Sequence, residues 1–115
     1  MPVKEIALDY LPDVYKGFGK NFPEIKEAYD ALAVRCNESG PLDRRSRRLV
    51  KLGVAIGVGS EGGVRSHARR ALSEGIPVAE LRHAVLMALT GAGFPAMIAA
   101  MQWVDEVIEK SGQTS

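Results

Sequence analysis

The residues with chemistry in them crowd into one stretch, Leu42 to Leu72: LDRRSRRLVKLGVAIGVGSEGGVRSHARRAL. Arg44, Arg45, Arg47 and Arg48 open it, Ser60 and Glu61 stand at a glycine-rich elbow, and His67 follows the elbow by one to two helical turns. A histidine titrates close to neutrality, so it can move a proton to or from a reacting carbon or oxygen. An arginine can hold a carboxylate at two points. The free N–H groups of a helix that begins at the elbow also favour an anion. Together these suit acid/base chemistry on a small carboxylate, with His67 and Glu61 as catalytic candidates and Arg47, Arg48, Ser60 and Gly63 as substrate-binding candidates.

Plainer readings stand beside these. A basic run is commonly a solvated face. Four arginines within five residues span roughly 160° of an ideal helix, and the stripe Leu49, Leu52, Ile56 overlaps that arc near Arg45 and Arg48. Those two therefore border the buried face, and Arg47 points further away. Either Arg47 or Arg48 could hold an anion. Glu61 and Arg65 are four residues apart and could simply pair with each other. Gly63 and Arg70 share the face of His67, and Gly63 is expected to leave an opening beside the imidazole. His83, next to Arg82, has no such company and reads as surface or interface. Cys36 has no second cysteine in the chain and reads as a buried structural thiol. No metal-ligand spacing is present.

The elements that must position these residues read as helices. A short first helix is expected within residues 1–20, capped by Asp9, with Pro12 in its first turn and Gly17 and Gly19 ending it. Asn21 and Glu24 resemble a capping box opening a second, with Pro23 in the first turn. NESGP (37–41) is a break, and Asp43 or Ser46 begins a third helix ended by Gly57 and Gly59. A fourth runs from about Glu61 to Glu74 and stops at Gly75. Pro77 starts a fifth, interrupted by Gly91 and Gly93, and Phe94 and Pro95 start a sixth carrying Met97, Ile98, Met101, Val104 and Ile108. The reading is one all-α domain, residues 1–115, of about six helices, with the Leu42–Leu72 pair antiparallel. Gly57, Gly59 and Gly62 spell GxGxxG with Glu80 about 20 residues on. A dinucleotide site would need a buried strand before the glycines, and a helical, arginine-rich segment stands there instead.

Composition narrows the class. A formal net charge of +1 over 115 residues points to neither nucleic acid nor a membrane surface. One cysteine excludes a disulfide framework and fits a reduced cytoplasmic setting. Lys4 and Glu5 stand where a leader would need an apolar run. The longest apolar stretch, Ala84 to Met101, is broken by Thr90, Gly91, Gly93 and Pro95, too often for a membrane span. Hydrophobic residues make up 46% of the chain, generous for so small a body, and self-association is one way to bury the excess. Gly91, Ala92, Gly93, Ala96, Ala99 and Ala100 would allow close helix approach.

From Leu42 to Val107 the chain resembles the carboxymuconolactone decarboxylase and AhpD-like superfamily. The resemblance rests on the opening LDRRSR, the helix ending in glycine, His67 eight residues before Gly75, the Glu80 helix and the GFPA break, in family order. It implies an AhpD-like helical bundle and a homo-oligomer, trimer or hexamer. Redox-active members carry a CxxC pair four residues before the histidine. Those positions are Ser60 and Gly63 here, and their glutamate on the preceding helix falls at Arg48. Thiol peroxidase chemistry needs a thiolate and a resolving thiol, so it is not expected.

The branch without CxxC resembles this chain at Arg44, Arg47, His67, Gly93, Pro95 and Ala96, and more loosely at Glu61. It implies a decarboxylase that takes CO2 from a carboxylated muconolactone in aromatic catabolism, without a cofactor or metal. The alternatives are a binding or regulatory member that kept the scaffold and lost the chemistry, or an isomerase or hydrolase using the same histidine.

Overall fold

The computed structural model describes residues 13–113, and the expected roles of Asp9 and Pro12 fall outside them. The chain divides into two compact units, with the boundary between Leu42 and Asp43. All regular structure among the described residues is helical.

The first unit holds α1 (Asp13–Asn21) and α2 (Pro23–Glu38). Gly17 and Gly19 do not end α1; both lie inside it, and neither takes a positive φ. Glycine in a helix costs about 1 kcal/mol against alanine but does not forbid the helix. Nor does Asn21 cap α2. It is still helical, and Phe22 is the N-cap without a side-chain bond, giving its N–H to Phe18 O at 2.8 Å and accepting Lys26 N–H at 3.0 Å. Pro23 does stand in the first turn of α2. Neither helix contains a buried residue, and Cys36, expected inside, is exposed on α2.

The second unit holds α3 (Arg44–Gly57), α4 (Glu61–Ser73), α5 (Val78–Leu86), α6 (Ala88–Ala92) and α7 (Phe94–Ser111). Asp43 caps α3 by accepting Ser46 N–H at 2.7 Å. That bond also holds the Asp43 carboxyl below its ordinary range. Ser60 caps α4 by accepting Gly63 N–H at 3.0 Å. Between the two helices Gly59 takes φ +72°, where a side chain would be strained, and Ser60 N–H returns to Ala55 O at 2.9 Å. Arg48 reaches residues 67 and 74 while Ala55 lies against Gly63, so α3 and α4 run antiparallel as the pattern predicts.

At the far end Gly75 takes φ +86° and lets Ile76 N–H close on Ala71 O at 3.0 Å. This turn sends Ile76 into the core and leaves Glu74 at the helix cap. The expected fifth helix is interrupted at Met87, at φ −60° and ψ −21°, which separates α5 from α6 earlier than Gly91. Counted as one interrupted helix, the pair gives the expected six. Gly93, at φ +98°, then turns the chain into α7.

The core lies within this unit. Leu52, Ala55 and Ile56 of α3 meet Val64, Ala68, Ala71 and Leu72 of α4, Leu81 and Val85 of α5, and Met97, Ala100, Val104, Val107 and Ile108 of α7. Their spacing of three and four is the apolar stripe an amphipathic helix turns inward. Leu52, Val64, Leu81, Val85 and Val104 are sealed from solvent. Truncating Leu52 to alanine would cost about 2–5 kcal/mol. Ion pairs tie the rim: Arg45 with Glu80, and Arg82 with Asp105 at 3.0 Å. The glycine triplet Gly57, Gly59, Gly62 follows a helix rather than a strand, and its acidic partner Glu80 is taken by Arg45.

Candidate active site

His67 sits near the middle of α4, half buried, on the side facing α3. Three features of the sequence put it there. Ser60 starts the helix, so His67 falls nearly two turns in; Val64, Ala68 and Ala71 anchor the helix to the core; and Arg48, one turn into α3, crosses to meet it.

Arg48 Nη1 lies 2.7 Å from His67 Nδ1. A guanidinium has hydrogens to donate and no lone pair to accept with. Nδ1 must therefore accept, and the imidazole is neutral with its proton on Nε2. The other edge of Arg48 is also engaged: Nε donates to Glu74 Oε1 at 3.0 Å and Nη2 to Oε2 at 2.8 Å. Both side chains of this ion pair are well sheltered, 13% and 16% exposed.

The electrostatics agree. Burial is the largest cause that lowers the His67 pKa, followed by the positive charges of Arg48, Arg70 and Lys51; Glu74 opposes them, and the value comes to about 4. The hydrogen bonds from Arg48 are the largest cause holding the Glu74 carboxyl below its ordinary range. The histidine is thus uncharged near neutral pH, while the charges of three cations act on it. An anionic group entering beside it meets positive charge, and the Nε2–H is there to donate to it.

Of the residues expected at the site, the structure brings together His67 and Arg48. The helical-arc argument that set Arg48 at the border of the buried face matches its position, but it set Arg45 there too and Arg47 further out, whereas Arg45 is exposed and paired with Glu80 and Arg47 is half buried. Arg47 is half buried in the first turn of α3, and its N–H closes on Asp43 O at 2.9 Å. Ser60 Oγ is used by the cap. Glu61 points elsewhere. Six residues before His67, it lies roughly 120° around the helix, and it accepts from Arg65 Nε at 3.0 Å, the plain pairing foreseen for it.

Gly63 leaves no opening. A Cβ there would stand 2.8 Å from Ser60 Oγ and 3.1 Å from Ala55 Cβ, so the missing side chain serves the close approach of α3 to α4. His83 is exposed on α5, as read.

Sequence reasoning missed Glu74 and Lys51 as members of the site. Glu74 is seven residues past His67, two helical turns on the same face, and Lys51 is three past Arg48. Those spacings are the signals that could have found them. Among the described residues there is no group of three or more His, Cys, Asp or Glu that could hold a metal ion. None of the described helices is long and apolar enough to cross a membrane.

Comparison with known proteins follows the same lines. The family model described as the carboxymuconolactone decarboxylase family matches residues 23–106. An uncharacterised protein of Methanocaldococcus jannaschii is 31% identical over 76% of this chain and 82% of its own length. The 4-carboxymuconolactone decarboxylase of Acinetobacter baylyi is 35% identical over 71 residues, 62% of this chain. The match spans only 53% of that enzyme's length. Among solved structures, a carboxymuconolactone decarboxylase family protein from Legionella pneumophila shares the fold with a TM-score of 0.74 at 22% identity, over 93% of this chain and 95% of its own.

Proposed function

The chain belongs to the carboxymuconolactone decarboxylase family, and from that premise we propose that it is a cofactor-free carboxy-lyase acting on a small carboxylated lactone of the carboxymuconolactone type. The observation that carries the proposal is the neutral His67 bonded to Arg48 and ringed by Arg48, Arg70 and Lys51. The chemistry asks for such a place. The bond between the ring carbon and the carboxylate breaks, and CO2 leaves. The electron pair flows through the conjugated system to the lactone carbonyl, which becomes a dienolate oxygen. A proton taken from water by the dienolate carbon, leaving hydroxide to be neutralised by solvent, completes the product. The cations attract the substrate carboxylate, and His67 meets the developing oxyanion in a partly dry setting where a hydrogen bond counts for more.

Dithiol peroxidase chemistry has no footing, because the chain's single cysteine, Cys36, lies on α2 with no second thiol to resolve it. The proposal extends to assembly as a homotrimer or homohexamer. Val50 and Val54 share one face of α3 at 54% and 61% exposure, and Val58 at its C-cap, 74% exposed, follows at the same spacing, the kind of apolar stripe that marks an interface. A stable monomer in sedimentation at micromolar concentration would contradict that part.

The test of the activity is a panel of carboxylated butenolides, followed by CO2 release and loss of the conjugated absorbance. Turnover of one member, and none of its decarboxylated analogue, is the expected result. Saturable binding without turnover would make the protein a binding member of the family instead.

A further inference from the structure

We infer that Glu74 is the positioning residue of this site: gripping Arg48 at two points, it aims Nη1–H at His67 Nδ1, holds the ring with Nε2–H outward, and so selects for an oxygen anion as the ligand atom beside it. The inference rests on the proposed decarboxylase reading only for the identity of that anion, a carboxylate or dienolate oxygen.

The geometry runs through three groups. Arg48 has four side-chain torsions and would lose substantial freedom if held by the histidine alone. Glu74 removes that freedom, taking Nε–H and Nη2–H at 3.0 and 2.8 Å and leaving Nη1 as the edge that faces α4. Glu74 itself is fixed by the end of its helix, where its N–H bonds Arg70 O at 2.9 Å and Gly75 turns the chain away. His67 then has one nitrogen spent as an acceptor. Its remaining polar atom is a donor. A neutral imidazole used this way polarises an oxygen rather than removing a proton, so a donor-only group such as an ammonium finds no acceptor there, and an anionic oxygen is favoured over a neutral one. Glu74 also offsets the positive charge of Arg48, which lets a guanidinium stand beside a histidine without leaving a half-buried charge unpaired.

Two effects of Glu74 on His67 have opposite signs, and this makes the claim testable. The charged groups facing the ring are Arg48 and Lys51 from α3 and Arg70 and Glu74 from α4. If Glu74 acted only through its charge, removing that charge would lower the His67 pKa further. If it acts by holding Arg48, removing it lets the guanidinium swing into water, and the pKa rises from about 4 towards the ordinary 6.5.

The experiment is NMR titration of the two histidines in wild type, Glu74→Gln and Glu74→Asp, with His83 as internal control. Aspartate keeps the charge but loses one methylene of reach, so it separates the two effects even if the glutamine variant fails to fold. Wild type should show Nε2 protonated at neutral pH and a coupling across the bond between Arg48 Nη1 and His67 Nδ1. Both variants should lose that coupling and raise the His67 pKa. A His67 pKa that falls or stays in the folded variants, or a wild-type ring protonated on Nδ1 at neutral pH, would overturn the inference. None of these readouts depends on turnover, so they stand or fall separately from the decarboxylase assay.

Discussion

Two faces of α4 carry nearly the same ion pair and do different things with it. On one, Arg48 gives Nε and Nη2 to Glu74 at 3.0 and 2.8 Å. On the other, Arg65 gives Nε to Glu61 at 3.0 Å and Nη2 to Glu106 at 2.8 Å. The distances match, so they do not tell a site from a brace.

Exposure and the third contact do. The Arg65 cluster is open to solvent, with Glu61 56% and Glu106 39% exposed, and both ends of its arginine go to carboxylates. The Arg48 pair is sheltered, one glutamate takes both donors, and the edge left over meets an imidazole. A charge cluster becomes chemically useful when it is partly dry and has a titratable group attached. A well-satisfied surface cluster only joins α4 to α7.

Breaking the His67 face should have the largest effect on function. His67→Ala is expected to cut turnover of a carboxylated lactone by about 10²–10³-fold, the loss of one oxyanion donor, while the melting curve stays near wild type. Full turnover, or a loss that merely tracks unfolding, would make the histidine structural. Arg48→Met should be the most damaging to stability among the changes at the two charged faces. It strands the Glu74 carboxylate in a sheltered place, at a cost of about 2–4 kcal/mol in urea unfolding, toward the lower end for a broken buried pair because water still reaches the site.

Gly63→Ala comes next, at about 1–3 kcal/mol, because its new methyl must push Ser60 Oγ and Ala55 apart from distances of 2.8 and 3.1 Å. The matching change on the other face, Arg65→Met, should barely move the unfolding midpoint and should leave turnover intact, as exposed pairs contribute little. Equal losses from Arg48→Met and Arg65→Met would erase the distinction between the two faces.

Much of this arrangement is legible along the chain, and the reason is locality. Asp43 with Ser46, Gly75 and Gly93 act within a few residues, so this cap and these turns can be read directly, whereas Ser60, a substrate-binding candidate by type, spends its hydroxyl capping α4. What lies far apart cannot be read that way. Glu74 finds Arg48 across 26 residues of sequence, and only the antiparallel packing of two helices makes the pair. The break at Met87 carries no glycine or proline to announce it. In the first unit the local signals misled. Asn21 and Glu24 have capping-box spacing, yet the helix boundary falls one residue later, at Phe22, and two glycines pass through α1 without ending it. Gly63 looked like space and is contact, because an absent side chain tells nothing of how close the next helix comes.

The most direct test of the account is the titration of His67 with and without a carboxylated butenolide. The claim is that the ligand's carboxylate settles among Arg48, Lys51 and Arg70 beside the ring. Added negative charge there must favour the imidazolium, so the His67 pKa should climb from about 4 on binding. A ligand that binds or turns over and leaves the His67 titration unchanged would place the chemistry elsewhere on the molecule.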